Sequence, residues 1–333
     1  MLLNDSKSNR RIMEYDLLRS ICILWIVCVW HLINYALDYA WARSIFSSSF
    51  CYRLTIGCLS SFMFLSGMFT NKEKFITKSD VAKFYKRKFS RFYILYAIFV
   101  CTIIVSNYPP IVVFFDKGWE QIILSLLGLA TITNKAPSTL WFMDLLLFFI
   151  FLTPILRHFN KACTTIFILT MWSVLLLLCK HFNLIDYRAA FYFPFYALGL
   201  QISPQQLLDS IRKHPVYIWV VSTLILVLFF SNQYMEYVDS IAWIFFLLSS
   251  SVLASKIAAK AQFLSQLIHC TSYLSLCAYL FHRQVMKLCD IFFGDYAFII
   301  MPLAILMIAF CIQRIYDIIQ SKAENHKSLS HRF

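Results

Sequence analysis

The sequence predicts an all-α protein, a polytopic membrane bundle of about ten transmembrane helices plus a re-entrant or interfacial segment near 119–133. Three observations carry that expectation. Sixty per cent of the 333 residues are hydrophobic and only 14% are charged, an apolar share well above the roughly 45–50% of soluble domains. The apolar residues fall in runs of about 17–23, the length that crosses hydrocarbon. The basic residues are confined to the short gaps between those runs, as the positive-inside rule requires.

Taken in order, the spans are expected at 14–38, 50–70, 89–106, 139–157, 162–180, 189–203, 215–231, 238–255, 269–286 and 291–313. The run 119–133 is shorter, and the distribution of Lys and Arg decides its placement. If it stays on one side, both termini are cytoplasmic and the split is 22 basic residues inside against 7 outside. If it crosses, the split falls to 16 against 13. The lopsided arrangement is the one the positive-inside rule selects, so 107–138 is read as an outer loop. A non-helical backbone at membrane depth there is tolerable where protein buries it. One membrane domain, 14–313, then lies between a cytoplasmic arm, 1–13, and a cytoplasmic tail, 314–333.

Composition also excludes several classes. The formal charge of +13 has no soluble domain to present it, which argues against a nucleic-acid partner. The residues Met1 to Arg11 are polar, and the apolar run that follows is too long for a signal peptide and has no small-residue cleavage site. The first span is therefore expected to be retained. Of the eleven cysteines none forms a CxxC pair, and most lie inside apolar runs. They read as small buried hydrophobes, with neither disulfides nor a metal site expected.

Polar side chains inside spans are costly and mark function by default. The first span carries Glu14-Tyr15-Asp16-Leu17-Leu18-Arg19, then eleven residues, then His31. At 1.5 Å per residue, Arg19 and His31 stand about 18 Å apart along the axis. Arg19 belongs near the cytoplasmic end and His31 to the middle or outer half. A neutral imidazole there can act as general base on a hydroxyl, or it can simply be satisfied by a neighbouring helix. The basic stretch 71–91, with Arg87, Lys88 and Arg91, sets topology and attracts anionic lipid. Alternatively it grips phosphate, because Lys88 and Arg91 share a helix face. In Phe62-Met63-Phe64-Leu65-Ser66-Gly67, the Ser-Gly pair reads as close helix packing. Trp141 suits an interfacial aromatic belt. Asp144 and His282 lie deeper, where they either orient His31 and line an acceptor path or form interhelical hydrogen bonds.

Together these segments resemble acyltransferase family 3 of bacterial membrane proteins, which includes many polysaccharide O-acetyltransferases. The resemblance runs in order through Asp16-Leu17-Leu18-Arg19 and His31, Ser66-Gly67, and Lys88-Phe89-Ser90-Arg91. It continues through Leu140-Trp141-Phe142 with Pro154, Phe193-Pro194-Phe195 with Gly199, and Tyr279-Leu280-Phe281-His282. It implies transfer of an acyl group, usually acetyl, from cytoplasmic acyl-CoA to a hydroxyl of a cell-surface or lipid-linked saccharide. By that resemblance His31 is the base, Arg19 its partner arginine, and Arg87, Lys88 and Arg91 belong to the donor site. The implied location is the bacterial cytoplasmic membrane. A rival reading is a transporter or flippase of a glycolipid or saccharide, disfavoured because no paired half-repeats are visible. One departure stands out. The family usually places ten residues between the arginine and the histidine, which leaves the two about 20° apart around a regular helix. Eleven leaves them about 120° apart. A one-residue π-bulge would restore the alignment, and such bulges favour functional sites.

Overall fold

The computed structural model describes residues 12–35, 48–71, 75–106, 115, 118–137, 140–158, 161–229 and 235–330. No strand occurs among them. The first element is continuous but changes character: α1 (Met13–Ile23), a π-helical segment (Leu24–His31) and α2 (Leu32–Tyr35). Then follow α3 (Ser49–Met68), α4 (Lys78–Ser106) and the short α5 (Trp119–Leu126). Next are α6 (Trp141–His158), α7 (Lys161–Lys180), α8 (Tyr187–Gln201), α9 (Pro204–Lys213) and α10 (Pro215–Phe229). The last three are α11 (Glu236–Ala258), α12 (Gln262–Phe293) and α13 (Ala297–Ser330). Among the described residues each expected span overlaps a helix, counting α1 to α2 as one, but α8 and α10 have only 15 residues each and the span 291–313 is interrupted by the turn at Gly294.

Local chemistry explains several boundaries. The Ser48 hydroxyl accepts from the Cys51 amide at the start of α3, and the Asp186 carboxylate accepts from Arg188 N at the start of α8. At α4, Asp80 accepts from the Thr77 amide while Thr77 Oγ1 accepts from the Asp80 amide, a reciprocal cap of the kind that fixes helix starts. Pro204 opens α9, where a missing N–H costs nothing. Gly294, at φ +49°, makes the turn between α12 and α13.

Among the described residues, four stretches are long and apolar enough to cross a bilayer: Met13–Asn34, Lys78–Val105, Glu236–Ala258 and Ile299–Ser321. The amphipathic α9 meets α10 at 92°; taken as one bent unit, the pair adds a fifth. The helices alternate in direction. At one end Tyr15 donates to Pro204 O, Arg157 to Asn71 O and Asn71 to Leu200 O, while Glu14 pairs with Arg212. At the other end Arg53 pairs with Asp239 at 3.3 Å and donates to Phe229 O, and Asp186 N donates to Thr131 O. Because α4 begins and α6 ends at the first end, the segment between them starts and finishes at the second. The α-helix among the described residues of that segment, the eight-residue α5, spans only about 12 Å, too short to cross. Large side chains such as Leu224, Val227, Leu228, Ile299 and Leu303 stand more than half exposed on the periphery, an apolar surface suited to lipid and not to water.

Helix α3 packs closely against α8. A Cβ on Gly67 would lie 2.1 Å from Tyr196 O, and one on Gly199 would lie 2.1 Å from Phe64 O. The two backbones touch through their glycines, the close approach that small residues permit in membrane bundles. Gly67 therefore packs as its sequence suggests, whereas the neighbouring Ser66 faces a cavity.

Candidate active site

The first helix builds the site from two ends. Near its start Asp16 accepts a hydrogen bond from Ser272 Oγ at Oδ1 and lies 2.7 Å from His269 Nδ1 at Oδ2. Ser20 donates to Ile268 O. At the far end of the π-helical segment, His31 Nδ1 lies 2.7 Å from His282 Nε2. Both contacts face α12, so fifteen steps along the first helix run beside thirteen along α12. A π-turn holds an additional residue per turn, and the segment Leu24–His31 takes up the excess. The bulge that the Arg19–His31 spacing calls for is present as eight π-helical residues.

Hydrogen-bond complementarity sets the tautomers. His282 Nδ1 is 2.5 Å from the carbonyl oxygen of Tyr279, which can only accept, so that nitrogen carries a hydrogen. In a neutral ring Nε2 then bears the lone pair and accepts from His31 Nδ1–H. His31 in turn carries its own lone pair on Nε2. The two imidazoles are nearly parallel, at 16° with centroids 4.6 Å apart. The chain from the Tyr279 carbonyl through His282 to His31 fixes which nitrogen of His31 is basic, the role the second partner plays in hydrolytic triads.

Between the two ends lies a cavity of about 550 Å³, within the size range of small-molecule sites. Its mouth holds Asp16, Arg19, Thr70, Arg87 and Lys88, and its depth holds Ile26, Leu59, Phe62, Phe142, Met143 and Tyr279. The Arg19 guanidinium sits 4.6 Å over the Phe69 ring, and Lys88 Nζ is 3.4 Å from Thr70 Oγ1. The charged lining residues gather at one end, among aromatic rings such as Tyr15 and Phe69, and the other end is uncharged. His31 itself does not line the cavity. The last residue on its side is Tyr279, whose ring centroid is 6.5 Å from that of His31 and 5.8 Å from that of His282.

The structure thus joins His31 to His282, and Arg19 to Asp16, Arg87 and Lys88. It does not join Asp144 to either group. That carboxylate is fully buried, accepts from Ser125 Oγ of α5 at 3.3 Å, and leaves Oδ1 without a protein partner. Its bond points to the short helix and not to His31. Trp141 stacks on Tyr192 at 5.4 Å and 25°, with the Arg188 guanidinium 4.7 Å away. The side chain of Arg91 lies outside the described residues. Sequence reasoning missed His269 and Ser272 as partners of Asp16. The signal was available, since His269 is a second histidine in the same apolar stretch as His282.

No curated protein and no solved structure matches the chain. A family profile described as an acyltransferase domain matches residues 13–312, from the first residue of α1 to deep within α13. That match takes in both histidines, the cationic mouth and the aromatic end of the cavity, and the chain belongs to acyltransferase family 3.

Proposed function

We propose that the protein is an integral membrane O-acyltransferase. It takes an acyl group, acetyl in the simplest case, from acyl-CoA on the cytoplasmic side. It passes the group to a hydroxyl of a cell-surface or lipid-linked saccharide. The chain belongs to a family of membrane acyltransferases; donor, acceptor and base are our reading. The observation that carries it is the imidazole pair set just beyond a cavity with a cationic mouth. Arg19, Arg87 and Lys88 supply charge for the donor phosphates, and the apolar depth suits its pantetheine arm. With the basic end facing the cytoplasm, as the positive-inside rule directs, both termini are cytoplasmic and the membrane is the bacterial inner membrane.

In this scheme the hydroxyl oxygen attacks the thioester carbonyl carbon. A C–O bond forms and the C–S bond breaks. His31 Nε2 takes the hydroxyl proton and returns it to the departing sulfur, giving an ester and coenzyme A thiol. His282 orients the ring and accepts from Nδ1–H as the imidazolium forms. A hydroxyl about 2.6–3.2 Å from its base and 3–3.5 Å from the carbonyl spans about 6 Å in all. In this scheme the thioester is brought to the end of the cavity lined by Tyr279, whose ring packs against that of His31 with centroids 6.5 Å apart. No protein nucleophile and no metal enters the scheme.

The test uses purified protein with acetyl-CoA and alkali-de-O-acetylated envelope polysaccharide from the producing organism. The His31→Ala variant, inserted normally, is expected to lose about 10²–10⁴-fold in turnover. Full acetylation by that variant would remove the proposed base.

A further inference from the structure

The deep end of the cavity is walled by three aromatic rings that hold one another. Phe142 packs edge-on to Phe62, with centroids 6.1 Å apart at 72°, and against Tyr279 at 5.4 Å and 57°. Phe142 and Tyr279 are 7% and 6% exposed. Trp141 braces Phe142 from behind at 5.8 Å and 78°. Rings braced on several sides in edge-to-face contact cannot swing aside singly without breaking a neighbour's contact. The wall is therefore stiff, and it stands next to the imidazole pair.

On the acyltransferase reading, the donor enters from the charged mouth with its thioester carbonyl brought up to Tyr279. The acyl chain continues from that carbonyl away from the sulfur, so it meets the wall at once. We propose that the Phe62–Phe142–Tyr279 partition restricts the donor to short acyl groups of two or three carbons, with Phe142 setting the limit. Tyr279 supplies the carbonyl that holds His282 and Phe62 is only partly buried. Phe142 is the buried ring at the centre of the partition, touching both Phe62 and Tyr279. Apolar pockets discriminate single methylenes by about 10-fold or more, and a rigid wall enforces such discrimination against chains that are too long.

The experiment compares kcat/KM for acetyl-, butyryl- and hexanoyl-CoA with wild-type protein and the Phe142→Ala and Phe142→Leu variants. The acceptor is the same de-O-acetylated polysaccharide. Wild type is expected to prefer acetyl over hexanoyl by about 100-fold or more. Phe142→Ala should shrink that preference at least about 10-fold, and Phe142→Leu should fall between. The leucine variant keeps most of the volume, so it reports the effect even if the alanine variant does not fold. Equal use of acetyl- and hexanoyl-CoA by wild type would overturn the proposal, as would an unchanged ratio in the leucine variant. Wild-type protein that consumes no acyl-CoA at all would instead fail the acyltransferase reading, and this proposal with it.

Discussion

Replacing Gly67 with alanine is a stringent test of how α3 and α8 are held. The added methyl would sit 2.1 Å from Tyr196 O, 3.0 Å from Tyr196 C and 3.1 Å from Leu200 N. A carbon against a carbonyl oxygen needs about 3.3 Å at its closest, so the helices must separate by about 1.2 Å. The obstacle is backbone and cannot rotate away. Overpacking of this kind costs about 1–3 kcal/mol, and an immovable obstacle puts Gly67→Ala at the upper end. At about 2 °C per kcal/mol for a chain of this size, the midpoint should fall by about 5 °C. Thermal denaturation of detergent-solubilised protein, followed by loss of the monodisperse size-exclusion peak, reads the effect. Gly199→Ala should behave alike, since its methyl would meet Phe64 O at 2.1 Å. The double variant should lose less than the sum, because one separation relieves both clashes. A Gly67→Ala protein melting with wild type would refute the close approach.

Two further outcomes separate the roles of the buried polar groups. Removing the imidazole in His282→Ala frees the tautomer and orientation of His31, and turnover should drop about 100-fold with KM for acyl-CoA unchanged. His282→Gln, whose amide oxygen can still accept from His31 Nδ1–H, should recover part of that loss; a KM effect alone would mean that His282 serves binding. Asp144→Asn, by contrast, should leave turnover within about two-fold and hold or raise the melting midpoint, because an unpaired buried carboxylate oxygen is expensive. A large loss of turnover would put Asp144 back into the chemistry.

Much of the scaffold was legible because lipid imposes simple rules. Run length located the long apolar helices, four of which are long and apolar enough to cross among the described residues, and the shorter run 119–133 holds α5, too short to cross. Gly67 announced its packing by its smallness. The unusual gap between Arg19 and His31 even implied the π-helical segment, since α-helical geometry alone misaligns them. What stayed hidden were the pairings across long sequence distances. His31 meets His282 across 251 positions and Asp16 meets His269 across 253, and periodicity within one helix says nothing about which helix lies opposite. Asp144 illustrates the converse. Its cost in the membrane was readable, but its partner Ser125 belongs to the short helix inside the run 119–133, and an apolar run does not say which helix lies opposite. The cavity was likewise unreadable, because residues from α1, the π-helical segment, α3, α4, α6, α8, α9 and α12 line it together.

The π-helical stretch has a practical bearing on how such chains are found and engineered. An extra residue in a straight rod would have turned every later side chain by a quarter-turn or more. Here the surplus is absorbed within Leu24–His31, and the histidine still reaches its partner. A search that insists on a fixed gap between the arginine and the histidine would pass over this chain. Grafting its first helix into a relative with the shorter gap would mean transplanting the overwide turns along with the two functional residues.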